Sequence, residues 1–247
     1  MAQGTADRDG PLGGIRGWLA QTARVLSGST MTVTEYDPKR HDRLVSFDGL
    51  DGYEELDRYW LNAPFAFASV NYDPEESEHY YHVVEPALSD LERRLLDRLF
   101  DEVRDPLLYR EDVAEDPEAA LREELHERLE EYGVSVAEES FYRLFYYLYR
   151  AFQGYGKLDP LMHDPHIEDI SCDGPGLPVF IYHDQYTDIE TSVTYDREEL
   201  DNFVIQLAQQ SGRHISVSDP VVSTTLPEGS RVELALGEEV TPKGSAY

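Results

Sequence analysis

The 247-residue chain carries 50 Asp and Glu against 21 Lys and Arg, a formal net charge of −29 that opposes a nucleic-acid backbone. Hydrophobic residues make up 40% of it, enough for a packed core and against global disorder. Its one cysteine, Cys172, allows neither an intramolecular disulfide nor a zinc ribbon, and no apolar run reaches the length of a membrane span.

Only three of the 21 basic residues are Lys (Lys39, Lys157 and Lys243), leaving 18 Arg. Such a chain repels itself, and salt relieves that by screening, so the composition reads as that of a halophile's protein. No secretory signal opens the sequence, and the expected location is the cytoplasm.

Residues 1–14 are rich in Gly and small polar side chains. Ile15, Trp18, Leu19, Thr22, Val25 and Leu26 then fall at helical spacing, inside a 1–30 segment with three Arg and two Asp. Two readings stand: a frayed terminal helix, or a helix that docks on a membrane-embedded partner or a neighbouring subunit. Residues 31–110 read as a small mixed unit. In it Tyr53, Leu56, Tyr59 and Trp60 suggest a short helix. Phe65 to Tyr72 and Tyr80 to Val84 suggest strands around an Asp73-Pro74-Glu75 turn.

Four helices have clearer signals. Pro86 opens the first, whose stripe is Leu88, Leu91, Leu95, Leu99 and Val103. Asp116-Pro117 caps the second, with Leu121, Leu125 and Leu129 on one face and Gly133 as its stop. The ten acidic residues of 111–131 read as a solvated face. The third sets Phe141, Leu144, Phe145, Leu148 and Phe152 on one side and Tyr142, Tyr146 and Tyr149 on another, a spacing that suits a core or subunit interface better than base stacking. Asp196 and Glu199 form a capping-box start for the fourth, which Gly212 ends. Between the last two, 168–172, 178–183 and 187–194 read as strands, and Val221–Leu226 with Arg231–Leu236 as a hairpin about Pro227-Glu228-Gly229. The expected fold class is α+β: a small, mostly antiparallel sheet packed on helices over residues 111–247.

A Walker A loop needs Gly-x-x-x-x-Gly-Lys-Ser/Thr, and it is absent. Only Lys157 follows a Gly; Ala151 stands where the first Gly belongs and Leu158 where the Ser or Thr belongs. His163 and His166 are three apart, but Pro165 between them spoils a helical ligand pair, and no metal site is expected. Cys172 reads as buried within a strand. Two Arg residues stand at element ends, Arg213 after Gly212 and Arg231 after the hairpin turn. By spacing alone each is a surface Arg beside one of many carboxylates.

Several stretches together resemble one family. They are 155–174 (YGKLDPLMHDPHIEDISCDG), 178–183 (PVFIYH), 211–216 (SGRHIS) and 226–232 (LPEGSRV), with 59–65 (YWLNAPF) and 85–92 (EPALSDLE) upstream. In this order they resemble the region ahead of the motor domain in archaeal type II/IV secretion ATPases, which drive type IV pilus and archaellum assembly. The resemblance spans roughly residues 50–247. It implies a non-catalytic N-terminal portion that closes over ATP and Mg held by a RecA-like motor, in a homo-hexamer that works on a membrane platform protein. It also implies that Arg213 and Arg231 reach the nucleotide phosphates, for which an always-charged guanidinium is suited. Family members often carry Asp at the positions of Ser223 and Glu228. Residues 243–247 fall where the family's chain would run on into the motor, so ATP binding and hydrolysis are not expected of this stretch alone. The rival readings are a standalone regulatory protein that docks on full-length secretion ATPase subunits, and a small-molecule sensor domain of similar layout.

Overall fold

The computed structural model describes residues 44–109, 116–237 and 246. The helix expected at 15–26 and the 110/111 boundary lie outside these residues. The described residues divide into two compact units, one containing 87–109 and 116–153, the other 45–86 and 154–237.

The first unit contains α1 (Asp90–Tyr109), α2 (Pro117–Glu131) and α3 (Glu138–Phe152), which pack against one another pairwise. Helix α1 does not open at Pro86. It opens at Ser89, whose hydroxyl accepts from the Glu92 N–H at 3.3 Å while the Glu92 carboxylate accepts from the Ser89 N–H at 2.7 Å. This reciprocal cap satisfies donors that Pro86 leaves open. Glu92 also ties α1 to α3, accepting from Arg143 at 3.2 Å. Burial pushes its carboxyl up, but the Ser89 N–H and hydroxyl, Ser140 and Arg143 together hold it below the usual range.

In α2, Asp116 accepts from the Ala119 N–H at 3.0 Å with Pro117 at the first helical position, and Leu121, Leu125 and Leu129 are buried. Gly133 follows at φ +63°, the left-handed conformation that ends a helix at low steric cost. The buried stripe of α3 is broader than its Phe/Leu spacing suggests, because Tyr142 and Tyr146 are buried with it.

The second unit holds a six-stranded sheet of β1 (Glu54–Asn62), β2 (Ala66–Asp73), β3 (Glu78–Val84), β4 (Ile167–Cys172), β5 (Pro178–His183) and β6 (Thr187–Thr194). The order is β1-β2-β3-β6-β5-β4, and only β3–β6 is parallel, through Tyr80–Glu190 and Tyr81–Thr191. A 3₁₀ turn at Gly156–Leu158 leads into the single-turn α4 (Asp159–Met162), and α5 (Arg197–Gln210) follows β6. The hairpin β7 (Val221–Thr225) and β8 (Arg231–Ala235) completes the α+β unit.

The core lies on one sheet face, where Val70, Tyr81, Ile181 and Ile189 meet Leu200, Val204 and Leu207 of α5 and Leu234 of β8. The α5 capping box is complete: the Asp196 carboxylate accepts from the Glu199 N–H at 2.9 Å, and Glu199 accepts from the Asp196 N–H at 3.0 Å.

The short helix expected around Tyr53–Trp60 is instead strand β1. Its register slips between Glu55 and Asp57 and again between Trp60 and Asn62. Each bulge inserts a residue and shifts the inside–outside alternation, so strand periodicity is lost from the sequence. Tyr59 and Leu61 pack on the core, while Leu56 and Trp60 are 43% and 55% exposed.

Candidate functional site

The end of α5 fixes the backbone at Arg213. Gly212 takes φ +69°, and the Arg213 N–H returns to the Ala208 carbonyl at 2.8 Å, with the Gly212 N–H on Gln209 at 2.9 Å. These bonds cap the last turn and send the chain off the helix. Ile215 is buried just beyond, and Ser216 and Asp219 exchange backbone bonds of 3.1 and 3.0 Å. Arg213 itself is exposed.

The hairpin turn fixes Arg231. The Leu226 N–H donates to the Ser230 carbonyl at 2.8 Å, and Gly229 takes φ +106°. The Tyr155 hydroxyl donates to Glu228, and buried Leu226 anchors the turn from below. Burial, and then the Glu228 bond, push the Tyr155 phenol up. Arg231 starts β8 opposite Thr225.

Arg231 lines a crevice of about 180 Å³ between β4 and the hairpin. Leu158, Leu161, Ile170 and Leu207 give it apolar walls, with carboxylates from Asp164, Glu168 and Asp169. Arg213 does not line it. Neither guanidinium makes an ion pair with another described residue, although both are exposed on a highly acidic chain. The crevice holds more carboxylates than cations.

The other candidates have structural partners. Lys157 donates to Glu199 at 2.7 Å and to the Thr194 carbonyl at 3.1 Å, and lies over the Tyr195 ring. Cys172 is buried at the end of β4. His163 contacts the Asp159 carbonyl, and no cluster of His, Cys, Asp and Glu among the described residues is arranged to hold a metal.

A buried polar network beside the crevice was not legible as a unit. Asp164 Oδ2 accepts from the Tyr59 and Tyr81 hydroxyls at 2.7 and 2.6 Å, and its Oδ1 accepts from the His166 N–H at 2.9 Å. His183 Nδ1 accepts from the Gln185 N–H at 3.1 Å. Nε2 therefore carries the proton and donates to the Tyr59 oxygen at 3.1 Å. Burial pushes His183 down, against the pull of Asp164 and Asp184, so the ring is neutral. Burial and the Asp164 carboxylate drive both phenols far up. The half-exposed His166 is pushed up by the Asp184 carboxylate that accepts from it at 3.0 Å. The network ties β1, β3 and β5 to the turn after α4. It gathers residues from 59 to 183, and only the Asp-Pro-His run at 164–166 marks it locally.

Comparison with known proteins places this chain in a class. Residues 13–87 match the family described as PilB3-like, N-terminal, so the chain carries an N-terminal region of the type IV pilus ATPase-related kind. It belongs to one family with the uncharacterized protein MJ1288 of Methanocaldococcus jannaschii, being 35% identical over 175 residues that cover 70% of this chain and 69% of that protein. Two other uncharacterized proteins of that organism are also similar. MJ0900 is 32% identical over 46% of this chain, and MJ0781 is 27% identical over 77% of it. The matched parts make up only 21% and 26% of those longer proteins. Among the described residues, no helix is long and apolar enough to cross a membrane.

Proposed function

We propose that this chain acts as the N-terminal, non-catalytic part of a pilus-assembly ATPase. The observation that carries the reading is the PilB3-like N-terminal match over residues 13–87. The two exposed Arg residues, each set on backbone held by a tightly bonded turn and neither paired with a described carboxylate, support it further. In this reading a RecA-like motor holds ATP and Mg, and Arg213 and Arg231 approach the phosphates from the opposite side of the cleft. ATP supplies the phosphoanhydride bond whose cleavage drives the motor. In this reading the chain supplies positive charge where negative charge accumulates. Closure of the domain moves neighbouring subunits of a hexamer and so acts on a membrane platform protein. Location at the cytoplasmic side of the membrane, a salt-adapted surface, and pilus rather than archaellum assembly complete the proposal.

The test replaces Arg213 or Arg231 with Ala in a version of the protein that carries the motor. Loss of a transition-state guanidinium costs about 10³-fold or more in turnover. Unchanged turnover in both variants refutes the assignment. In that case a standalone regulator that docks on full-length subunits accounts for the exposed Arg pair, and a pull-down with those subunits tests it.

A further inference from the structure

The face of the sheet opposite the core can be traced by register. Phe180 of β5 lies opposite Glu190 of β6, and Glu190 opposite Tyr80 of β3. Tyr182 lies opposite both Asp188 and Asp169. Residues in register share a face, so aromatic rings and carboxylates interleave across four strands. Phe180 and Tyr182 are 37% and 42% exposed. At its β3 border Tyr53 meets Tyr80 at 5.8 Å; beyond that, toward β1, the face is covered, with Phe67 6% exposed in a cluster with Val45 and Phe47 and Arg58 lying 5.1 Å over its ring.

Arg58, over the Phe67 ring, is taken up by Glu55 at 2.6 Å. Asp169, Asp188 and Glu190 form no ion pair with a described residue. Desolvation, and then the field of Asp73, Glu76 and Glu190, pushes the Tyr53 phenol up. Burial, followed by Glu190, does the same to Tyr80, and His82 is pushed down by burial and so adds no charge. An exposed aromatic face on so acidic a chain is an interaction surface, and the carboxylates set the sign of what it takes. A second copy would bring its own carboxylates against these. A polyanion is repelled. Cationic side chains suit both components, since guanidinium and ammonium groups are drawn to ring faces as well as to carboxylates.

We propose that this face receives a basic peptide segment of a partner protein, with its Arg and Lys side chains seated between Phe180, Tyr182 and Tyr80 and the carboxylates of Asp188 and Glu190. Docking is by side chains, because register slips in both edge strands, β1 and β4, break the edges that strand addition would need. Membrane proteins present Lys- and Arg-rich segments on their cytoplasmic side. That origin rests on the pilus-assembly reading, whereas the surface chemistry does not.

The full chain is titrated with a synthetic peptide of alternating Arg and Leu and with its Glu/Leu counterpart. Parallel titrations use Phe180→Ser with Tyr182→Ser, and Asp188→Asn with Glu190→Gln. A control removes exposed carboxylates of α2, Glu127→Gln with Glu130→Gln. All substitutions lie at exposed positions, and circular dichroism checks the fold. The expected result is binding of the Arg peptide alone, weakened about tenfold or more by each sheet-face pair and unchanged in the control. Equal weakening in the control, or no loss in the ring variant, overturns the proposal by reducing the binding to general charge. Dimers that dissociate in the ring variant, with peptide binding unaffected, also overturn it by identifying the occupant as a second copy. Turnover of the Arg213 and Arg231 variants is a separate readout, so either idea can fail alone.

Discussion

Replacing Tyr81 with Phe and Asp164 with Ala, singly and together, tests the buried network by the coupling of two effects. Asp164 is 5% exposed and Tyr81 fully buried. Tyr81→Phe removes one hydrogen bond to a charged acceptor and orphans no donor, at a cost of about 1.5–3 kcal/mol. Asp164→Ala removes the acceptor for two hydroxyls and a backbone N–H. Tyr59 is half-buried and keeps a bond with His183, while the buried Tyr81 hydroxyl is left with the Tyr59 hydroxyl alone. The expected cost is about 3–5 kcal/mol, a large part of the roughly 5–15 kcal/mol that holds a domain together. In the Asp164→Ala background Tyr81→Phe removes a buried hydroxyl that has lost its charged acceptor, so its cost shrinks to near zero. Urea unfolding followed by Trp fluorescence measures this, with Trp18→Phe leaving Trp60 of β1 as the reporter. If Tyr81→Phe destabilises both backgrounds equally, within about 0.5 kcal/mol, the two groups are not coupled and the reasoning is wrong.

The pH dependence follows from the same site. His183 is held neutral, below the ordinary 6.5, so the unfolded chain binds the extra proton. Its contribution is complete above pH about 6.5 and is lost as pH falls toward the folded value. His166 is raised and works in the opposite sense, adding stability below that pH and losing it as pH rises through its folded value. Asp57, Asp164 and Asp184 are the carboxylates whose field acts on both rings. Urea midpoints between pH 5 and 8 are expected to fall on the acid side, and His183→Gln to flatten that fall; an unchanged slope refutes the assignment. Asp196→Ala removes the α5 cap and is expected to cost about 1 kcal/mol, as is Ser89→Ala at α1. A cost near zero at Asp196, by the same unfolding assay, would mean that the Lys157–Glu199 pair holds the helix start without it.

Helices were the most legible part, because their signals are local. Asp116-Pro117, Gly133, Asp196 with Glu199, and Gly212 all mark ends that the structure uses. The Ser89–Glu92 cap was equally local, yet the neighbouring Pro86 drew the boundary three residues early. The hairpin was legible because its turn and two alternating arms are contiguous. Strand β1 was not, because its bulges leave Tyr53, Leu56 and Trp60 at spacings that mimic a helix. The parallel β3–β6 pairing and the Asp164 network join residues about a hundred positions apart, and nothing local encodes such meetings. Arg213 and Arg231 stood out by position; that Arg231 edges a crevice and Arg213 does not required the fold.

The parallel pairing of β3 with β6 makes the helical stretch 87–153 a guest spliced into its host, since the host's sheet is begun before it and finished after it. A ribosome therefore delivers the β1–β3 meander, then the three helices, and only then the strand that meets β3. The meander spends that interval with one edge open and its inward Val70 and Tyr81 uncovered. The completed sheet is thus the slow, long-range step of folding. It also makes the guest's ends a seam, where length and sequence can change without altering the register of the host.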